Sequence, residues 1–160
     1  MKPTKGKLLI AEPAILNDSS FNRTIVLLTE HTNQSSVGFI LNRPLEYTLN
    51  DLLPDINCNF LVYQGGPVEQ DNLYFVHKVP QLLPDSIEVD NGIFWGGNFE
   101  SLKQLLNNEK IKTSDIRFFL GYSGWGKKQL DEEMNQNSWF VGDNDFENIF
   151  SVDDGSLWKN

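Results

Sequence analysis

Thr24-Ile25-Val26-Leu27-Leu28-Thr29 constrains the chain more than any other stretch. It is apolar on both alternating faces and rich in β-branched residues, the pattern of a central strand covered on both sides. Six polar residues, 31–36, separate it from Val37-Gly38-Phe39-Ile40-Leu41. Two apolar runs joined by a short polar link read as a β-hairpin. In an antiparallel pair the start of the first strand lies beside the end of the second. Arg23 is therefore expected near Asn42 and Arg43, with Glu30 and His31 at the opposite end. Two guanidiniums on one rim need carboxylate partners or a bound anion.

The rest of the chain repeats this punctuation of short apolar runs. Leu8-Leu9-Ile10 reads as a strand that stops at Pro13, and residues 17–22 are turn formers. Residues 50–54 allow one helical turn before Pro54. Phe60 to Tyr63 reads as a strand running into Gln64-Gly65-Gly66-Pro67, a sharp turn. Residues 73–77, 87–89 and 93–95 are further short strands, His77 ending the first of them half-buried. Asn98 caps a helix over 99–106, where Phe99, Leu102, Leu105 and Leu106 share one face. Residues 116–120 form a strand, followed by a glycine-rich turn, 121–126, and a helix over 127–134. After Gly142 the tail is acidic, yet Phe146, Ile149, Phe150, Leu157 and Trp158 predict that it docks. Strands outnumber helices and hairpin signals dominate, which predicts a single α+β domain over residues 1–160 with a mixed sheet.

Size and charge narrow the function classes. A chain of 160 residues fits one domain, and 39% apolar with 22% charged residues is ordinary for a globular protein. Thirteen basic against 22 acidic residues give a net charge of −9. That field repels phosphate backbones over a Debye length of about 8 Å at physiological salt, and no basic stripe is present. Direct nucleic-acid binding is not expected. Cys58 stands alone, so neither a disulfide nor a cysteine zinc cage can form within the chain. His31 and His77 lack ligand spacing, so no metal and no cofactor are expected. No leader-like apolar stretch precedes Glu12 and Pro13, and no run approaches the ~20 apolar residues that span a bilayer. The expected compartment is the cytoplasm, with no membrane partner.

Several segments taken in order form a recognisable set. They are Gly6-Lys7-Leu8-Leu9-Ile10-Ala11 with Pro13, Phe21 with the 23–28 run, Glu30-His31, and 37–44 ending Asn42-Arg43-Pro44. Gly65-Gly66-Pro67-Val68, Gly121-Tyr122-Ser123-Gly124-Trp125-Gly126, Gln129-Leu130, Glu133 and Trp139 complete it. Over residues 6–140 their order and spacing resemble the YqgE/AlgH family. The resemblance implies an α+β fold with a bifurcated, partly barrel-like sheet flanked by helices, in a bacterial cytosolic protein. It implies no reaction, since that family has no settled activity; its label as a transcriptional regulator comes from a link to alginate control in one branch. The chain departs from the pattern at Lys127-Lys128, where relatives tend to have Gly and Pro, which puts any role specific to that loop in doubt.

Three chemical readings compete for the glycine-rich segment and the hairpin rim. Gly121 to Lys128 reads G-x-x-x-x-G-K-K, one residue from a phosphate-binding loop, but Lys128 replaces the hydroxyl that would hold Mg²⁺. Gly121-Tyr122-Ser123-Gly124-Trp125 resembles a nucleophile elbow, but Trp125 replaces its second glycine and both histidines precede Ser123. The rim is the sharper candidate. Arg23 and Arg43 offer planar five-donor forks, Asn42 adds donors and an acceptor, and Gly65-Gly66 would let backbone N–H groups approach a ligand. Tyr122 and Trp125 would complete an arginine and aromatic cleft. The competing expectation pairs the arginines with Glu12, Asp18 or Glu46. Gln129 and Glu133 share a helical face; they either orient the loop above them or, as such residues more often do, simply stand solvated.

The sequence therefore predicts a binding or regulatory module rather than an enzyme. Its site would comprise Arg23, Asn42, Arg43, Gly65, Gly66, Tyr122 and Trp125, taking a small anion, a peptide or a protein partner. The alternatives are a hydrolase at the same cleft and a regulator that acts on DNA; the oligomeric state is left open.

Overall fold

The computed structural model describes residues 2–11, 24–126, 128–136, 138–143 and 149–150. Arg23, Glu12, Asp18, Lys127, Phe146, Leu157 and Trp158 lie outside the described residues. Chain order is β1 (Leu8–Ala11), β2 (Ile25–His31), β3 (Ser36–Ile40), β4 (Pro44–Thr48), α1 (Leu49–Leu52), β5 (Leu61–Gln64), β6 (Val68–His77), β7 (Ile87–Asp90), β8 (Ile93–Trp95), α2 (Phe99–Asn107), β9 (Ile116–Trp125), α3 (Gln129–Asn135) and β10 (Trp139–Gly142).

The 24–41 hairpin forms as read. Val26 faces Ile40 and His31 faces Ser36, with a bulge between Leu28 and Glu30. β2 is central, flanked by β1 and β3. Its alternation serves two cores: Ile25 and Leu27 join one apolar cluster, Val26 and Leu28 another. All four are 0% exposed, so both faces of the strand are covered as its composition requires.

The ten strands follow the order β10-β1-β2-β3-β9-β6-β8-β7, with β5 joining β9 and β4 joining β5. Among these pairings β5 with β9 is parallel and the others are antiparallel. The result is a single domain built on a mostly antiparallel, curled sheet with few helices. The expected flanking helices are minimal: α1 spans four residues, α2 nine and α3 seven. Asn98 caps α2, its side chain accepting the Ser101 N–H at 2.9 Å. β4 and β10 have no counterpart in the sequence reading. β4 alternates poorly and stays largely exposed, and β10 is a four-residue strand whose pairing with β1 is set by contacts some 130 residues apart in the chain.

The largest departure concerns residues 121–126. All but Gly126 lie not in a turn but in the second half of β9, a continuous ten-residue strand. One edge of β9 pairs with β6. Along the other edge, Phe118 to Leu120 pair with β5, and Ser123 to Trp125 pair with β3. The sheet forks at Gly121, whose φ is +74°. A Cβ there would lie 2.5 Å from the Gly66 carbonyl oxygen and 2.9 Å from that of Val68. The glycine is required by crowding and by its left-handed backbone.

β9 also divides the cores. Phe118 belongs to a cluster with Leu102, Leu106 and Val62, and Phe119 to one with Leu27, Phe39 and Val76. Both rings are 0% exposed, each contributing roughly 1.5–3 kcal/mol by burial.

Candidate functional site

Regular alternation would send Phe119 and Tyr122 to opposite faces of β9, since they are three residues apart. Both instead face the same cluster. The left-handed turn at Gly121 inverts the alternation and delivers Tyr122 onto the concave side. Strand phase delivers the others: Thr29 follows Ile25 and Leu27, Val37 precedes Phe39, Tyr74 precedes Val76, and Trp95 follows Ile93. Together with Lys5, Glu30, Ile87 and Glu88 they line a cleft of about 440 Å³. The cleft is the open mouth of the same concave face whose interior holds the Leu27, Phe119 and Ile93 core.

The walls are aromatic and rigidly set. Phe39 stacks on Phe119 with ring centroids 4.9 Å apart, and lies 5.6 Å from Tyr74 at 47°. Tyr74 and Tyr122 meet edge-on, 5.7 Å apart at 89°. The Tyr74 hydroxyl donates to Glu69 Oε2 at 2.9 Å. Burial pushes the Tyr74 phenol above its ordinary value, with Glu69 adding to the rise against a hydrogen bond from Asn72, so the phenol keeps its proton. At the rim, Glu30, Ile87, Glu88 and Lys5 are exposed, and Lys5 Nζ donates to the Glu88 main-chain carbonyl at 3.4 Å.

The expected site residues do not converge here, apart from Tyr122. Arg23 lies outside the described residues. Asn42 Oδ1 accepts the Ile25 N–H at 3.0 Å, tying the hairpin end, and Arg43 is half-buried and does not line the aromatic cleft. Gly65 and Gly66 are buried. The Gly65 N–H bonds Leu120 O, and a Cβ on Gly66 would lie 2.2 Å from the Tyr122 carbonyl carbon. These glycines admit another strand, not a ligand. Trp125 is 4% exposed and packs edge-on against Trp139 at 5.9 Å.

A further guanidinium beside the hairpin end is that of Arg117, which is not among the residues expected there. It is 6% exposed, donates to the carbonyls of Leu41 and Phe150, and lies 4.1 Å from the Tyr63 ring centroid. An arginine between two apolar residues in a strand gives no local sign that it is buried.

The strand path also removes the two loop chemistries. With residues 121–125 in β9, the glycines form no loop that could wrap a phosphate ahead of α3, and Ser123 sits mid-strand at 0% exposure, its hydroxyl donating to Gly65 O at 3.0 Å. His31, not adjacent to Ser123, pairs with Ser36 across the hairpin end, Nδ1 to Oγ 2.6 Å. His77 is 0% exposed, with Nε2 2.9 Å from Gly96 O and Nδ1 accepting the Val79 N–H. Burial pushes the Cys58 thiol up, so it stays protonated at neutral pH. Among the described residues no group of three or more His, Cys, Asp or Glu is arranged to hold a metal ion, and no helix is long and apolar enough to cross a membrane.

Gln129 and Glu133 orient the end of β9. Gln129 Oε1 accepts the Gly126 N–H at 2.9 Å, and Glu133 Oε1 accepts both indole N–H groups, from Trp139 at 2.8 Å and Trp125 at 3.2 Å. α3 is thereby fixed to the far side of the sheet from the cleft, in the cluster with Leu9 and Ile40.

Comparison with known proteins agrees with this architecture. The AlgH-like family model matches residues 8–160. A UPF0301 protein of Cytophaga hutchinsonii is 41% identical over 159 residues, covering 98% of this chain and 87% of that protein. One from Chlorobium limicola is 40% identical over 155 residues, covering 96% and 82%. The solution structure of AlgH from Pseudomonas aeruginosa superposes with a TM-score of 0.79 at 24% identity, covering 98% of this chain and 87% of that one. The crystal structure of protein DIP2367 from Corynebacterium diphtheriae gives 0.77 at 20%, covering 99% and 85%. At those identities the two structures speak for the fold. The chain belongs to the AlgH-like family, whose relatives among bacteria are the UPF0301 proteins.

Proposed function

We propose that the protein is a binding module whose ligand occupies the aromatic cleft at the mouth of the curled sheet. The observation that carries this reading is the ring wall of Phe39, Tyr74, Trp95 and Tyr122 left open over about 440 Å³. Ligand sites favour concave, mostly apolar clefts with a few polar groups, and the mouths of curled or closed sheets are common places for them. A volume of that size suits a small molecule or one or two side chains of a peptide. The reading moves the site from the arginine rim to the cleft and keeps Tyr122 in common. It needs no placed nucleophile, base and oxyanion donors, which a hydrolase would require within reach of one another. If the protein regulates transcription, the cleft supports action through a ligand or partner, since a net charge of −9 opposes duplex DNA.

A fragment screen followed by amide chemical shifts tests the reading. Hits should perturb β3, β6 and the Tyr122 half of β9, and their affinity should fall at least about tenfold in Tyr122→Ala, as loss of one aromatic wall implies. A library with no hit in the cleft, or hits indifferent to both Tyr122→Ala and Trp95→Ala, would overturn it.

A further inference from the structure

The charges around the cleft say what kind of ligand it takes. Two exposed carboxylates, Glu30 and Glu88, stand at its mouth, and a third, Glu69, accepts the hydroxyl proton of a wall residue, Tyr74. Against them stands one ammonium, Lys5, resting on the Glu88 carbonyl. Inside, Tyr74 and Tyr122 meet at 89°, so their ring planes form two perpendicular walls. Ring faces carry negative potential, and rings set at angles around one space attract a cation while solvating its apolar substituents. A phenol donating to a carboxylate has its ring made more electron-rich, which strengthens that attraction. The protein's overall field, at net charge −9, draws cations and repels anions.

We propose that the occupant is a small organic cation, an alkylated ammonium, held among the rings of Tyr74, Tyr122 and Trp95 with Glu30 and Glu88 at the mouth. This rests on the cleft being the binding site, and replaces the small anion expected at the arginine rim. Lys5 marks the preference, because the chain's own ammonium lies at this opening. It also limits affinity by like-charge repulsion, so its removal should tighten binding.

The test compares choline with its neutral isostere 3,3-dimethylbutan-1-ol and with the anion 3,3-dimethylbutanoate, titrated into the full-length protein and followed by amide shifts. Choline should bind at least about tenfold more tightly than the alcohol, and the anion least. The preference should shrink in the Glu30→Gln, Glu88→Gln double variant, both exposed positions where glutamine preserves the fold, and grow in Lys5→Ala. If the alcohol binds as well as choline, the cation class is wrong while the cleft remains a site. If the anion binds best, the charge argument is wrong in sign. If no probe shifts the cleft resonances, the cation proposal fails, and the fragment screen decides separately whether the cleft binds anything.

Discussion

Gly121 determines more of this molecule than its size suggests. Its positive φ turns the alternation of β9 over, so that Tyr122 reaches the cleft and the strand changes partner from β5 to β3. In Gly121→Ala a methyl group would meet two carbonyl oxygens in a conformation unfavourable for any L side chain. The expected loss is about 2–4 kcal/mol of unfolding free energy, read from urea denaturation, together with large shifts at Tyr122. A variant as stable as the wild type would show that the fork does not depend on this residue. None of this was legible in sequence, because a run of glycines among aromatics reads as a turn; crowding by Gly66 and Val68, more than fifty residues earlier, is what demands Gly121. Where the cause is local, single residues were legible: Asn98 caps α2 as its position predicts, whereas Gln129 and Glu133, more readily read as solvated, hold the end of β9.

At the level of elements, β6 and β8 enclose a titratable group. His77 is fully buried between the Phe75 and Phe94 rings, its Nδ1 already accepting the Val79 N–H. Burial lowers its pKa, and the hydrogen bond to Gly96 offsets this in part. A base with a lowered folded pKa binds its proton more readily when unfolded, so stability is complete above the unfolded value of about 6.5 and falls as pH drops from there toward the lowered folded value. The urea midpoint should therefore decline as pH falls below about 6.5, and His77→Gln, though less stable at neutral pH, should lose much of that slope. An unchanged slope would assign the acid sensitivity elsewhere. The strands themselves were legible wherever apolar runs are long or alternate, as in β2, β3 and β8. The cleft's other rings were in plain view too: Val37 with Phe39, Tyr74 with Val76, and Ile93 with Trp95 are each in phase along their strands. What sequence does not reveal is which strands are neighbours, so the common face of those phases stays hidden until β9 is placed between β3 and β6.

For the whole molecule, the order of the sheet makes β9 common property. Its first half closes the cluster with α2, and its second half reaches the cluster with Trp139 and Leu130. Neither half of the sheet can be released without breaking the other's ladder. Unfolding should thus be one transition, with the summed fluorescence of the four tryptophans coinciding with far-ultraviolet circular dichroism. The amides of Phe118 and Ser123 should exchange with one opening free energy, in the range of about 5–15 kcal/mol usual for a domain. Separate midpoints would mean that the fork at Gly121 divides the sheet into independent units.

Tyr74 and Tyr122 have a double allegiance, since each packs against the interior on one side and is half-exposed at the cleft on the other. A guest seated against them would finish a surface that the polypeptide leaves incomplete, and resistance to heat would become a gauge of occupancy. At a free concentration one hundred times its dissociation constant, such a guest adds about 2.7 kcal/mol to the folded state. Recognition and folding in this protein would then share the same few rings.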